Sequence, residues 1–122
     1  MKEVQGWWLP DEEAHIITYF DAIKQSEYQP IHQQTVIKHC KQFRTAIDIG
    51  AHVGLWARGL TEKFDKVVAF EPCDQFADIL LKNAPKVHTI NRCALGGERV
   101  MLPWQLSLTI QAPPMWIVAR WG

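Results

Sequence analysis

Between Ala46 and Ile90 short apolar runs alternate with stretches of helical period, and this alternation restricts the chain to an α/β fold built around a parallel sheet. Ala46-Ile47-Asp48-Ile49 runs into Gly50 and predicts a buried strand. Val53, Ala57, Leu60 and Phe64 then form one stripe of a helix. Val67-Val68-Ala69-Phe70 predicts a second strand, closed by Glu71-Pro72. A helix follows from Asp74 to Asn83, with Phe76, Ile79 and Leu80 inward, and Ala84-Pro85 stops it. Val87-His88-Thr89-Ile90 predicts a third strand. Strands joined this way by helices make right-handed crossovers, with helices expected on both faces of the sheet.

Residues 1–44 read as a helical segment leading into that core. Pro10-Asp11-Glu12-Glu13 opens a helix with Asp11 as its cap, and Ile16, Tyr19, Phe20 and Ile23 share a face. A second helix follows Pro30 and carries Val36, Cys40 and Phe43. Trp7 and Trp8 read as a hydrophobic lid on the first helix, against the alternative of a stacking platform for a ligand.

With 122 residues the chain can bury one core but hardly two. Its 13 Lys and Arg balance 13 Asp and Glu without a basic cluster, which argues against nucleic acid as a partner. No apolar stretch approaches the roughly 20 residues that cross a bilayer, and Met1 to Gly6 does not open like a signal peptide. The expectation is a cytoplasmic protein without a membrane partner. Cys40, Cys73 and Cys93 lack paired spacing and read as core thiols, and the five histidines show no ligand pair, so no metal site is expected.

Ligands of open parallel sheets bind at the carboxyl ends of the strands. There Asp48-Ile49-Gly50-Ala51-His52-Val53-Gly54 fits D-x-G-x-x-x-G, and His52 occupies the place where a dinucleotide fingerprint needs its second glycine. Gly50 permits a tight turn and close ligand approach, whereas Gly54 permits close packing of the next helix. An acid at the end of the first strand repels a pyrophosphate but suits an ammonium group. Glu71, closing the second strand, can accept hydrogen bonds from both hydroxyls of a ribose. These features point to S-adenosyl-L-methionine, its amino-acid end over Gly50 and Ala51, its ammonium near Asp48 and its carboxylate near the amides that open the helix. The adenine is then expected between Pro72 and Cys73 on one side and Ala94 and Leu95 on the other.

Taken in order, the D-x-G-x-x-x-G run, Ala69-Phe70-Glu71-Pro72, Asn83 and Ala94-Leu95-Gly96 resemble the motifs of the FkbM family of S-adenosylmethionine-dependent methyltransferases. The resemblance covers about residues 45–98; the family more often has Asn where His52 stands. It implies a Rossmann-like class I methyltransferase fold and a cofactor site at Asp48, Gly50, Ala51, His52, Gly54, Glu71, Pro72, Ala94 and Leu95. It also implies methyl transfer to a hydroxyl oxygen of a sugar or other small molecule. No catalytic base is assigned, and the rival function is a non-catalytic module that binds a partner through an exposed sheet edge and a Trp-rich tail.

The resemblance implies a longer sheet than the cofactor core of residues 45–106 supplies, even with Arg99 to Leu102 as a fourth strand, and an unpaired edge on the first strand. From Val100 to Gly122 only Arg120 is charged, and three Trp and three Pro crowd the same stretch. Residues 107–122 read either as an apolar plug over that edge or as an out-of-frame end of an interrupted gene, a choice the coding DNA decides.

Overall fold

The computed structural model of the chain describes residues 1–95 and the strand Trp116–Val118. The first strands, β1 (Lys2–Val4) and β2 (Trp7–Leu9), form an antiparallel hairpin. Its two-residue turn has both Gln5 and Gly6 at positive φ, the turn type whose twist matches a hairpin. The amino-terminal segment is therefore not wholly helical. Helix α1 (His15–Ile23) starts later than Asp11 would place it. Asp11 instead pairs with the terminal ammonium at 3.0 Å, and the Ile16 N–H donates to Glu13 Oε1 at 2.8 Å, so Glu13 takes up the free helix donor. Helix α2 (Pro30–His39) begins on its proline as expected.

The main sheet has the order β5-β4-β3-β6. Strands β3 (Thr45–Ile49), β4 (Lys66–Phe70) and β5 (Thr89–Asn91) run parallel, and β6 (Trp116–Val118) pairs antiparallel with Ile47 to Ile49 of β3. Trp116–Val118 thus occupies the β3 edge that the sequence left open, and Arg99 to Leu102 lie outside the described residues. Between β3 and β4 lies α3 (Ala57–Thr61), and between β4 and β5 lies α4 (Asp74–Asn83). No helix among the described residues is long and apolar enough to cross a membrane.

Two apolar clusters hold these elements. Ala46, Val67 and Ala69 of the sheet pack with Trp56, Ala57, Leu60, Phe64 and Leu80, and α2 adds Val36 and Ile37. The hairpin and α1 form the second through Trp7, Leu9, Ile16 and Phe20, closed by Val53, Leu55 and Ile79. Trp7 is buried there and its indole N–H donates to Ser26 O at 2.7 Å, so the lid reading of the tryptophans describes its place. Ile47, Ile49, Val68 and Phe70, on the other face of the sheet, join neither cluster and stay half-buried. The described helices therefore cover one face, not two. The cysteines depart from expectation in part: Cys40 is half-buried against the first cluster, whereas Cys73 is half-buried outside both clusters and Cys93 is exposed.

The helix expected from Val53 to Phe64 is regular only over Ala57–Thr61, although its whole apolar stripe is buried. The break lies at Gly54, which has φ +88° and carries the chain over α4. A Cβ there would stand 3.3 Å from Leu80 Cγ. Gly54→Ala is expected to cost about 1–3 kcal/mol through the left-handed backbone and the crowded core, measured as a lower urea midpoint at unchanged slope.

Candidate functional site

The three parallel strands end flush. Ile49 pairs with Phe70 and Phe70 with Asn91, so Gly50, Glu71 and Arg92 follow from one row at the carboxyl edge. Gly50 turns the chain at φ +74°, and a Cβ built on it meets nothing within 4 Å. Backbone conformation therefore demands glycine here, and the space above the bend is open. The Gly50 and Ala51 amides both donate to Phe70 O, at 2.9 and 3.0 Å, and anchor the bend to the neighbouring strand.

Glu71 is the organising side chain. It is 5% exposed, and each of its two oxygens accepts from a different backbone amide. The His52 N–H donates to Oε2 and the Cys73 N–H to Oε1, each at 2.8 Å, while the Glu71 N–H donates to Asn91 O at 3.0 Å. Burial raises its pKa, and the two amide donors oppose the rise. Each carboxylate oxygen keeps a further lone pair, because an ionised carboxylate has about four acceptor positions.

His52 contributes its backbone. It holds φ +50°, a left-handed conformation in which His, like Asn and Asp, is several-fold enriched. Its ring packs on Phe76 with centroids 4.1 Å apart, and burial lowers its pKa. His88, exposed with its Nδ1 2.7 Å from Thr89 Oγ1, lies before β5, at the opposite end of the sheet. Neither ring is placed as a base at the carboxyl edge.

Asp48 lies beneath the bend and has no exposed surface. Neither carboxylate oxygen has a well-aligned hydrogen-bond partner among the described residues, although the Ala57 N–H lies near enough to favour the ionised form. Burial pushes its pKa up to about 7, against the pull of the Ala57 N–H, and the Glu71 charge adds to the rise. In this conformation Asp48 can act on a ligand at the bend through its charge, not by contact. The helix-opening amides expected beside Gly50 are also displaced, since α3 begins at Ala57.

Gly50, Ala51, His52, Glu71 and Cys73 are thus drawn together by main-chain bonds, with Pro72 half-buried beside them. Ala94 and Leu95 are exposed and join neither core cluster. Arg92 fixes the start of that segment by reaching both Asp74 and Asp78 on α4. The sequence carried this bridge as two carboxylates one helical turn apart on α4. Asn83 proves structural: it bonds both backbone groups of Trp8 as well as Val53 O. No protein-family model matches the chain, and no curated protein or solved structure does either.

S-adenosylmethionine carries a vicinal diol on its ribose and positive charge on its sulfonium and ammonium groups. The open space over Gly50 admits a backbone-hugging ligand, the spare acceptor positions of Glu71 suit a vicinal diol, and the orphaned Asp48 carboxyl favours a cation nearby. Residues of this chemistry are compatible with a ligand that carries a diol and a positive charge.

Proposed function

We propose that the chain is the cofactor-binding part of an S-adenosylmethionine-dependent methyltransferase of FkbM type, acting on a hydroxyl oxygen of a sugar or other small molecule. The observation that carries this reading is Glu71, buried at the flush carboxyl ends and tied by both oxygens to the amides of His52 and Cys73 beside the open Gly50 bend. When bound, the cofactor supplies an electrophilic methyl carbon on a sulfonium. Glu71 would hold its ribose, Gly50 and Ala51 would pass beneath its amino-acid end, and Asp48 would favour its positive charge from below. Pro72, Ala94 and Leu95 would border the adenine. With neither His52 nor His88 placed as a base, alignment of the acceptor hydroxyl with the methyl carries the rate in this reading.

Titration calorimetry of the full chain with S-adenosylhomocysteine tests the proposal, with NAD as the contrast. Saturable binding of the first and none of the second is expected. Glu71→Gln removes the charge but keeps an acceptor for one amide. It is expected to weaken S-adenosylhomocysteine by about 10- to 100-fold, the worth of one charged hydrogen bond or more. Equal binding by the variant, with its circular dichroism unchanged, would remove Glu71 from the site. Failure of the parent chain to bind would sink the methyltransferase reading.

A further inference from the structure

Away from the carboxyl edge, a groove of about 320 Å³ runs between the hairpin and the carboxyl ends of α3 and α4, lined among others by Arg58, Glu62, Lys82 and Lys86. The whole chain is electrically neutral, yet these four side chains sum to two positive charges. Lys86 is taken by Glu62 at 3.0 Å. Arg58 and Lys82 have no carboxylate partner among the described residues.

Both free cations are nevertheless held in place. The Arg58 guanidinium lies 4.5 Å over the Trp7 ring, and its Nη1 donates to Gly6 O at 2.8 Å. The Lys82 ammonium lies 4.4 Å over the Trp8 ring. The two cations are seated on consecutive tryptophans of β2, and both line the groove. An aromatic ring fixes a cation without neutralising it. The rotamer entropy of two long side chains is therefore spent before any ligand arrives, and donors remain on both heads.

We infer that this groove is a binding site for a small phosphorylated ligand, with Arg58 and Lys82 clamping the phosphate. A phosphate monoester carries close to two negative charges and three strong acceptor oxygens, which matches two uncompensated cations better than a single carboxylate would. The volume lies at the small end of ligand sites, enough for a phosphate with a compact organic group. The carboxyl ends of α3 and α4 oppose an anion, but with partial charge that fades within a turn, against two whole cations. This groove is separate from the carboxyl edge that carries Glu71 and does not rest on the proposed cofactor.

Inorganic phosphate is the probe, titrated into the full chain at constant ionic strength and followed by the Trp8 indole and Arg58 Nε–H resonances. Saturable shifts are expected. Lys82→Gln, an exposed substitution that leaves the core intact, is expected to weaken binding about tenfold, the worth of one charged hydrogen bond. Glu62→Gln removes the one negative charge of the groove and is expected to tighten binding severalfold. Shifts that never saturate, or that sodium chloride reproduces, would overturn the proposal, as would affinities indifferent to both substitutions.

Discussion

Asn83→Ala is expected to destabilise the fold by about 4 kcal/mol. Its side-chain amide donates to Trp8 O at 2.8 Å and to Val53 O at 2.7 Å, while its carbonyl accepts the Trp8 N–H at 2.8 Å. The amide thereby takes the place of a neighbouring strand for β2 and ties the hairpin to α4 and to the turn after β3. Deleting it leaves three main-chain groups without partners, and each such group costs about 1–3 kcal/mol where it is buried. Water can relieve the part-buried Trp8 groups, but Val53 O is bonded in the interior. Against a total stability of about 5–15 kcal/mol, the loss is large, and a melting temperature lower by on the order of 10 °C should report it. Asn83→Asp separates this from mere loss of volume: it has the same shape but cannot donate, so two carbonyls would face a carboxylate. It should be at least as damaging as alanine above pH 6. A milder effect from both would show that the hairpin is not held through this residue.

The same residue illustrates what the sequence could and could not disclose. Helix α4 was legible to the residue, because a strand end, Pro72 and Ala84-Pro85 bound its apolar stripe on both sides. Strands β3 and β4 were legible within one residue because each is a short, mostly apolar run that ends at a turn signal, Gly50 or Glu71-Pro72. The burial of Val53, Ala57, Leu60 and Phe64 was also readable, but its helical geometry was not, since turns around Gly54 place the same side chains inward. The hairpin was not legible because its strands are three residues each, too short for alternation to declare itself, and its turn offered only the single Gly6. At the site, the placing of Glu71 beside the glycine bend followed from strand order and register. The burial of Asp48 did not, because its place on the helix-covered face depends on the alternation along β3, where Ala46 and Asp48 face the same way. The apolar composition of residues 107–122 offered a cover for the β3 edge, but the register of Trp116–Val118 on β3 depends on contacts far apart in the chain, which no local pattern encodes.

Asp48 gives the most specific expectation about pH. Its carboxyl is pushed up to about 7 from an ordinary 3.8. A group whose folded pKa is raised binds more protons in the folded than in the unfolded state between those two values, so folding stability falls as pH rises through that window and levels off above it. The full cost of ionising Asp48 in place comes to about 4 kcal/mol, of which about 3 kcal/mol accrues between pH 5 and pH 8. Asp48→Asn cannot ionise. Whatever fixed difference its amide introduces, the gap in unfolding free energy between variant and parent should move in the variant's favour by about 3 kcal/mol from pH 5 to pH 8, and then stay constant. Every other titrating group is shared by the two proteins and cancels to first order in the comparison. Urea unfolding at a series of pH values measures the gap directly, and parallel profiles would mean that Asp48 is solvated or paired and ionises normally. The consequence reaches the crevice: a carboxyl poised to ionise at neutral pH beneath the Gly50 bend makes that bend more attractive to a cation as pH rises. A cation seated there would in turn hold Asp48 ionised and recover part of the stability it costs.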